Sequence, residues 1–107
     1  MTTKEIVELV KALSDSPSEQ ATLPFEVGSA YFFRTVTYFA TGRVKEIIGK
    51  FLVLEDAAWI ADTGRFRQAI MDGVLDEVEP VEVPMYLNTD TITDAFVWTN
   101  PLPRIQK

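Results

Sequence analysis

The side chains with the most chemistry to offer in this chain are carboxylates: sixteen acidic residues stand against ten basic ones, with no histidine and no cysteine. Without an imidazole there is no His-ligated metal and no Ser-His-Asp triad. Without a thiol there is no thiolate zinc site, no disulfide and no cysteine nucleophile. Ser14, Ser16 and Ser18 share one polar stretch and Ser29 opens a strand-like run, so no serine has an evident activator. Carboxylate pairs could hold Mg²⁺ or Ca²⁺, or act as acid and base. The candidates are Glu55-Asp56, Asp76-Glu77 and the trio Asp62, Asp90 and Asp94. Neighbouring residues of a strand point to opposite faces, so Glu55 and Asp56 cannot share one ion. The plainer role is a solvated face, with Asp56 satisfying turn amides. Thr41-Gly42 and Thr63-Gly64 are single-glycine turns and make no phosphate loop. The expectation is a protein with no catalytic residue, no metal ligand and no cofactor, and hence not an enzyme.

The aromatic and basic residues point to binding. Trp59 and Trp98 could stack on bases, but aromatics at strand ends serve more often as core or interface anchors. A formal net charge of −6 opposes broad attraction to phosphate backbones. Between Arg67 and Arg104 there is no basic residue, while Asp72, Asp76, Glu77, Glu79, Glu82, Asp90 and Asp94 all fall there. Arg34, Arg43, Lys45, Lys50, Arg65 and Arg67 gather in the middle third. Such a subunit could meet its copies head to tail, with Arg65 and Arg67 facing the acidic third; the bland alternative is a set of solvated faces.

The elements that must position these residues are mostly strands. Thr2 with Glu5 forms a capping box, and Ile6, Leu9, Val10 and Leu13 share one face, which predicts a helix over residues 2–14. A linker follows over residues 14–20. "SAYFFRTVTYFA" is rich in aromatic and β-branched residues and predicts a strand, closed by a Thr41-Gly42 turn. Residues 43–48 form the next strand, and Gly49-Lys50 turns the chain into "FLVLEDAAWIADTG", where Phe51, Leu52, Val53 and Leu54 run together and want cover on both faces. "RFRQAIMD" fits a short helix stopped by Gly73. An irregular edge strand over residues 75–82, strands over 84–87 and 91–98, and an extended tail complete the chain.

Short sequential strands with tight turns close most cheaply as a small five-stranded antiparallel barrel. The expected organisation is a helix and linker over residues 1–23 and a mainly β barrel domain over 24–107, with a short inserted helix. Its interior covers one face of residues 51–60. The other face is expected to meet another subunit, in preference to the N-terminal helix or the short helix around Arg65.

"GRVKEIIGKFLVLEDAAW" resembles the first motif of the Sm/LSm/Hfq family. The resemblance implies an SH3-like or Sm-like barrel with an N-terminal helix, joined edge to edge with its copies in a homo-oligomeric ring. Sm proteins carry an Asp and an Asn before the third strand to grip uridine, where this chain has Ile48-Gly49-Lys50-Phe51. They carry Arg-Gly in the second motif, where this chain reads Asn88-Thr89-Asp90-Thr91-Ile92. From Tyr31 onward, "YFFRTVTY", "LDEVEP", "NTDTITDAF" and "LPRIQK" also resemble small proteins of tailed bacteriophages from marine viral sequence.

Taken together, these features lead to a phage-encoded, ring-forming structural module. Phe51, Val53, Trp59, Ile92, Phe96 and Trp98 are its expected subunit contacts. The alternative is a ring that binds RNA or single-stranded DNA through Lys50, Phe51, Arg65, Asn88 and Thr89 by stacking and charge. No apolar run is long enough to span a membrane, and the N-terminus does not read as a signal peptide. The expected compartment is the cytoplasm, that of the host if the protein is viral.

Overall fold

The computed structural model describes residues 23–107. The expected helix over residues 2–14 and its linker lie outside the described residues. Within them the chain is mainly antiparallel β. Strands β1 (Ala30–Thr35), β2 (Phe39–Ile48) and β3 (Phe51–Asp62) are followed by helix α1 (Phe66–Asp72). Strands β4 (Glu77–Pro80) and β5 (Met85–Asn88), a 3₁₀ turn (Thr89–Thr91) and β6 (Ile92–Val97) complete the order. The sheet runs β4-β3-β2-β1-β6, and β5 also pairs with β3. One edge of β3 is lined by the two short segments expected over 75–82 and 84–87, β5 against residues 51–54 and β4 against residues 58–62, which brings the sheet to six strands. Between them Glu82 takes a left-handed φ of 56°, and Pro80 and Pro84 lack the N–H a continuous ladder needs.

The first hairpin corrects the sequence reading. The turn falls at residues 36–38, where the Thr35 hydroxyl donates to the Tyr38 carbonyl (2.7 Å) and accepts from the Tyr38 N–H (3.0 Å). A side chain that bonds the backbone locally turns the chain without glycine. Thr41-Gly42, expected as the turn, lies inside β2. Gly42 instead permits close packing, since a Cβ there would sit 3.0 Å from Leu54 Cβ and 3.4 Å from Ala57 Cβ.

Opposite Gly42, β3 changes phase. Arg43 pairs with Glu55 but Thr41 pairs with Ala58, so β3 carries one extra residue, and Asp56 there has φ 51°. A bulge of this kind moves every later side chain to the other face. Before it, Leu52 and Leu54 pack in a core with Tyr31, Phe33, Val44 and Leu87, which Ala57 also joins. After it, Ala58 and Ile60 pack in a second core on the other side of the sheet, with Phe32, Ala69, Val78, Trp98 and Leu102. Each fully buried Leu, Ile or Phe contributes roughly 1.5–3 kcal/mol, so both cores matter.

The second core is roofed by α1 and the tail of the same chain. This overturns the expectation that a neighbouring subunit covers the second face along all of residues 51–60. Phe66 meets Phe32 edge-on (ring centres 5.7 Å apart) and Phe96 (5.2 Å), and Trp98 stacks on Phe32 at 6.0 Å. Gly73 ends α1 in a left-handed conformation, φ 75°, with its N–H on the Ala69 carbonyl. The Asn100 amide donates to the Ile70 carbonyl (3.0 Å) and ties the tail to the helix. Among the described residues, what stays open is the outer face before the bulge, where Ile48, Phe51 and Tyr86 are 51%, 42% and 66% exposed.

Candidate functional site

Two loops meet at one end of the sheet. The β2–β3 turn is Gly49-Lys50, with Gly49 at φ 57°, and the 3₁₀ turn links β5 to β6. The Thr89 N–H and hydroxyl both donate to the Lys50 carbonyl, each at 2.8 Å. Lys50 Nζ reaches Asp90 at 3.0 Å. Asn88 caps the turn, its side-chain oxygen accepting from the Asp90 N–H (2.9 Å) and its carbonyl from the Thr91 hydroxyl (2.7 Å). Phe51 lies directly across from Asn88 in the ladder. The fold therefore brings together Lys50, Phe51, Asn88 and Thr89, whose backbones lie 39 residues apart in sequence at the Lys50–Thr89 contact.

Arg65 is not part of this cluster. It precedes α1, beyond the far end of β3, which is twelve residues long. The charge available at the loop end is small, because Lys50 is matched by Asp90 in an exposed pair. Phe51 is the one aromatic ring of the set, and the Asn88 amide oxygen is engaged by its own turn.

The other carboxylates are engaged separately. Asp94 holds Arg34 through two parallel hydrogen bonds, Nε to Oδ1 at 2.6 Å and Nη2 to Oδ2. The guanidinium carbon lies 4.9 Å from the Phe66 ring centre and 5.8 Å from that of Phe96. Those hydrogen bonds, outweighing desolvation, hold the Asp94 carboxyl below its ordinary range. Asp56 accepts from Arg104 (3.0 Å) and Asp62 from the Gly64 N–H (2.8 Å). Among the described residues, no three carboxylates gather within ligating reach of one ion.

The residues expected at subunit contacts divide by burial. Val53 and Trp98 are enclosed within the chain itself, and Phe96 packs against the second core. Ile92 leans on the first core at the start of β6. Phe51 and Trp59 present surface, Trp59 at 39% exposure. Tyr86 was missed by sequence reasoning. Its signal was the alternation Met85-Tyr86-Leu87, in which the two flanking residues face the core and the tyrosine must face out.

The strand edges are unequal. β4's outer edge is taken by the chain's own tail: Lys107 donates to the Val78 carbonyl (2.9 Å) and accepts from the Val78 N–H (3.2 Å). Among the described residues, no strand pairs with the outer edge of β5 or of β6. The Trp98 N–H turns inward to the Ala30 carbonyl (3.0 Å), so by the period of two the Val97 N–H turns outward.

No family model matches the chain, and no curated protein matches it significantly. Among solved structures it is similar to a heptameric archaeal Sm protein, at 14% identity and a TM-score of 0.45 over 77% of this chain and 96% of that one. It is also similar to the P. aerophilum SmAP1 heptamer, at 15% identity and a TM-score of 0.46 over 80% and 92%. No helix among the described residues is long and apolar enough to cross a membrane.

Proposed function

We propose that this chain is an Sm-like structural module that assembles head to tail into a closed homo-oligomeric ring. The observation that carries this reading is a pair of edges, β5 and β6, on opposite sides of one sheet, with which no strand pairs among the described residues. An unpaired edge offers a row of N–H and C=O groups that a second strand can satisfy. Because the two edges differ, each can pair with the other edge on the next copy, and contacts of that kind generate rings when the rotation closes. The tail's hold on Val78 restricts the choice to β5 and β6. Catalysis has no part in this reading. By the phage resemblance, we place the protein's origin in a tailed bacteriophage and its working compartment in the host cytoplasm.

Val97→Pro tests the ring. It removes an outward N–H from an exposed edge residue, a position a subunit tolerates but an added strand does not. Light scattering is expected to show a multimer for the wild type and a monomer for Val97→Pro, with melting temperatures within a few degrees. A wild-type monomer at physiological salt, or a variant of unchanged mass, refutes the proposal.

A second reading, that the ring binds RNA or single-stranded DNA, is favoured by one observation: Lys50, Phe51, Asn88 and Thr89 converge on one loop surface. A ring would multiply that surface by its copy number, so weak single contacts would add as avidity. Fluorescent oligo-U and oligo-dT at micromolar protein test it. Binding should weaken with salt, and Lys50→Ala should reduce the salt slope by about 1 per engaged copy. Absence of binding at low salt removes this reading and leaves the ring in place.

A further inference from the structure

Two surfaces without a partner among the described residues lie on the same outer face of the sheet, at its two opposite edges. Beside β5 is the apolar patch of Ile48, Phe51 and Tyr86, with exposed Glu46 opposite Val53 in the same row. Beside β6 is α1, anchored over β1 and β6 by Phe66. It turns outward Arg65, Arg67 and Met71, which border a hollow of about 540 Å³. Met71 is 60% exposed. Neither arginine has an ion-pair partner among the described residues, and neither does Glu46.

We infer that the patch of one copy is covered by α1 of the adjacent copy. The inference rests on the proposed ring. Pairing β5 of one subunit with β6 of the next makes one continuous sheet, so their outer faces lie side by side. Neighbouring strands are spaced about 4.8 Å apart, and a helix with its side chains is about 10 Å across. A helix centred over β1 and β6 therefore ends about 2 Å short, measured across the sheet, of the strand added beyond β6, which is the neighbour's β5, and its outward side chains span that gap. That strand carries Tyr86 on its outer face, with Phe51 and Ile48 on the strands behind it. Met71 supplies a flexible apolar contact for the rings. Arg65 and Arg67 bring cations toward aromatic faces and Glu46, complementary in charge. The inserted helix thus roofs its own second core with one side and the neighbour's open patch with the other.

The absence of cysteine makes the test direct. Met71→Cys and Tyr86→Cys variants, each purified alone, are mixed under mild oxidation and resolved on a non-reducing gel. The expected result is a covalent dimer as the main product of the mixture, carrying one chain of each variant by mass spectrometry. In a parallel arm, Arg65→Glu with Arg67→Glu should lower the solution mass, and adding Glu46→Arg in the same chain should restore it. A wild type that assembles, with no mixed dimer and no effect of the charge reversals, overturns the α1 contact and leaves the ring standing. A wild-type monomer overturns both.

Discussion

Replacing Gly42 by Ala tests the packing that sets the fold. Gly42 sits in β2 opposite the β3 bulge, and an added Cβ would lie 3.0 Å from Leu54 Cβ, 3.2 Å from Leu54 Cδ1 and 3.4 Å from Ala57 Cβ. The Leu54 Cδ1 contact can be relieved by a rotamer change. The Cβ contact cannot, because Cβ moves only with the backbone of β3. Leu54 is fully buried in the first core, so any shift of β3 is passed to Leu52 and Leu87. Overpacking of this kind costs about 1–3 kcal/mol. Against it stands roughly 0.4–1 kcal/mol gained by restricting the unfolded chain, since Gly42 has no left-handed φ that alanine would strain. The midpoints leave a net loss of about 1.3 kcal/mol, which at roughly 4–8 °C per kcal/mol for a domain of this size lowers the melting temperature by about 5–10 °C. Urea unfolding followed by tryptophan fluorescence measures it, and Gly42→Val should cost more than Gly42→Ala. A Gly42→Ala variant as stable as the wild type would refute the claim that glycine is there for close approach.

Gly73→Ala combines a left-handed φ of 75° with a Cβ placed 2.7 Å from Asn100 Cβ. It should cost about 1–3 kcal/mol and loosen the tail, read as lost protection of the α1 amides in hydrogen exchange. Asp94→Asn should destabilise at neutral pH and not in acid. The folded-state carboxyl is held below its ordinary value of about 3.9, so its contribution is fully present above that value and is lost as pH falls through the lowered one. Urea midpoints of wild type and Asp94→Asn should differ at pH 7 and draw together as pH falls below the ordinary carboxylate range, and a gap unchanged on acidification would count against the Arg34 pairing. Leu102→Ala removes a buried side chain that helps roof the second core and should cost about 2–4 kcal/mol, measured by thermal melting.

Much of the architecture was legible in local patterns. Runs of aromatic and β-branched residues marked the strands, Gly49-Lys50 marked a turn, and Phe66, Ala69 and Ile70 before Gly73 marked α1 and its stop. The loop residues Lys50, Phe51, Asn88 and Thr89 were singled out from the sequence, and the structure brings them together. Arg65 was grouped with them because charge along a chain carries no information about which end of a strand it reaches. The Thr41-Gly42 turn was misplaced because glycine serves two purposes, positive φ and close approach, and only the partner strand shows which one applies.

By itself, the sequence determined that this chain is a mainly β protein with a short helix, net acidic, and without the imidazole and thiol that most nucleophilic and metal chemistry uses. It did so because composition and short-range periodicity act on each segment independently of its neighbours. Tertiary structure alone decided which parts of the two faces of β3 are covered within the chain. The extra residue at the Asp56 bulge lies across from Gly42, whose missing Cβ leaves room for Leu54 and Ala57. It reverses the facing of Ala58 and Ile60 and hands that half of the strand to α1 and the tail. Periodicity encodes facing only while alternation is unbroken, and where it breaks the packing of distant segments determines which side each residue takes.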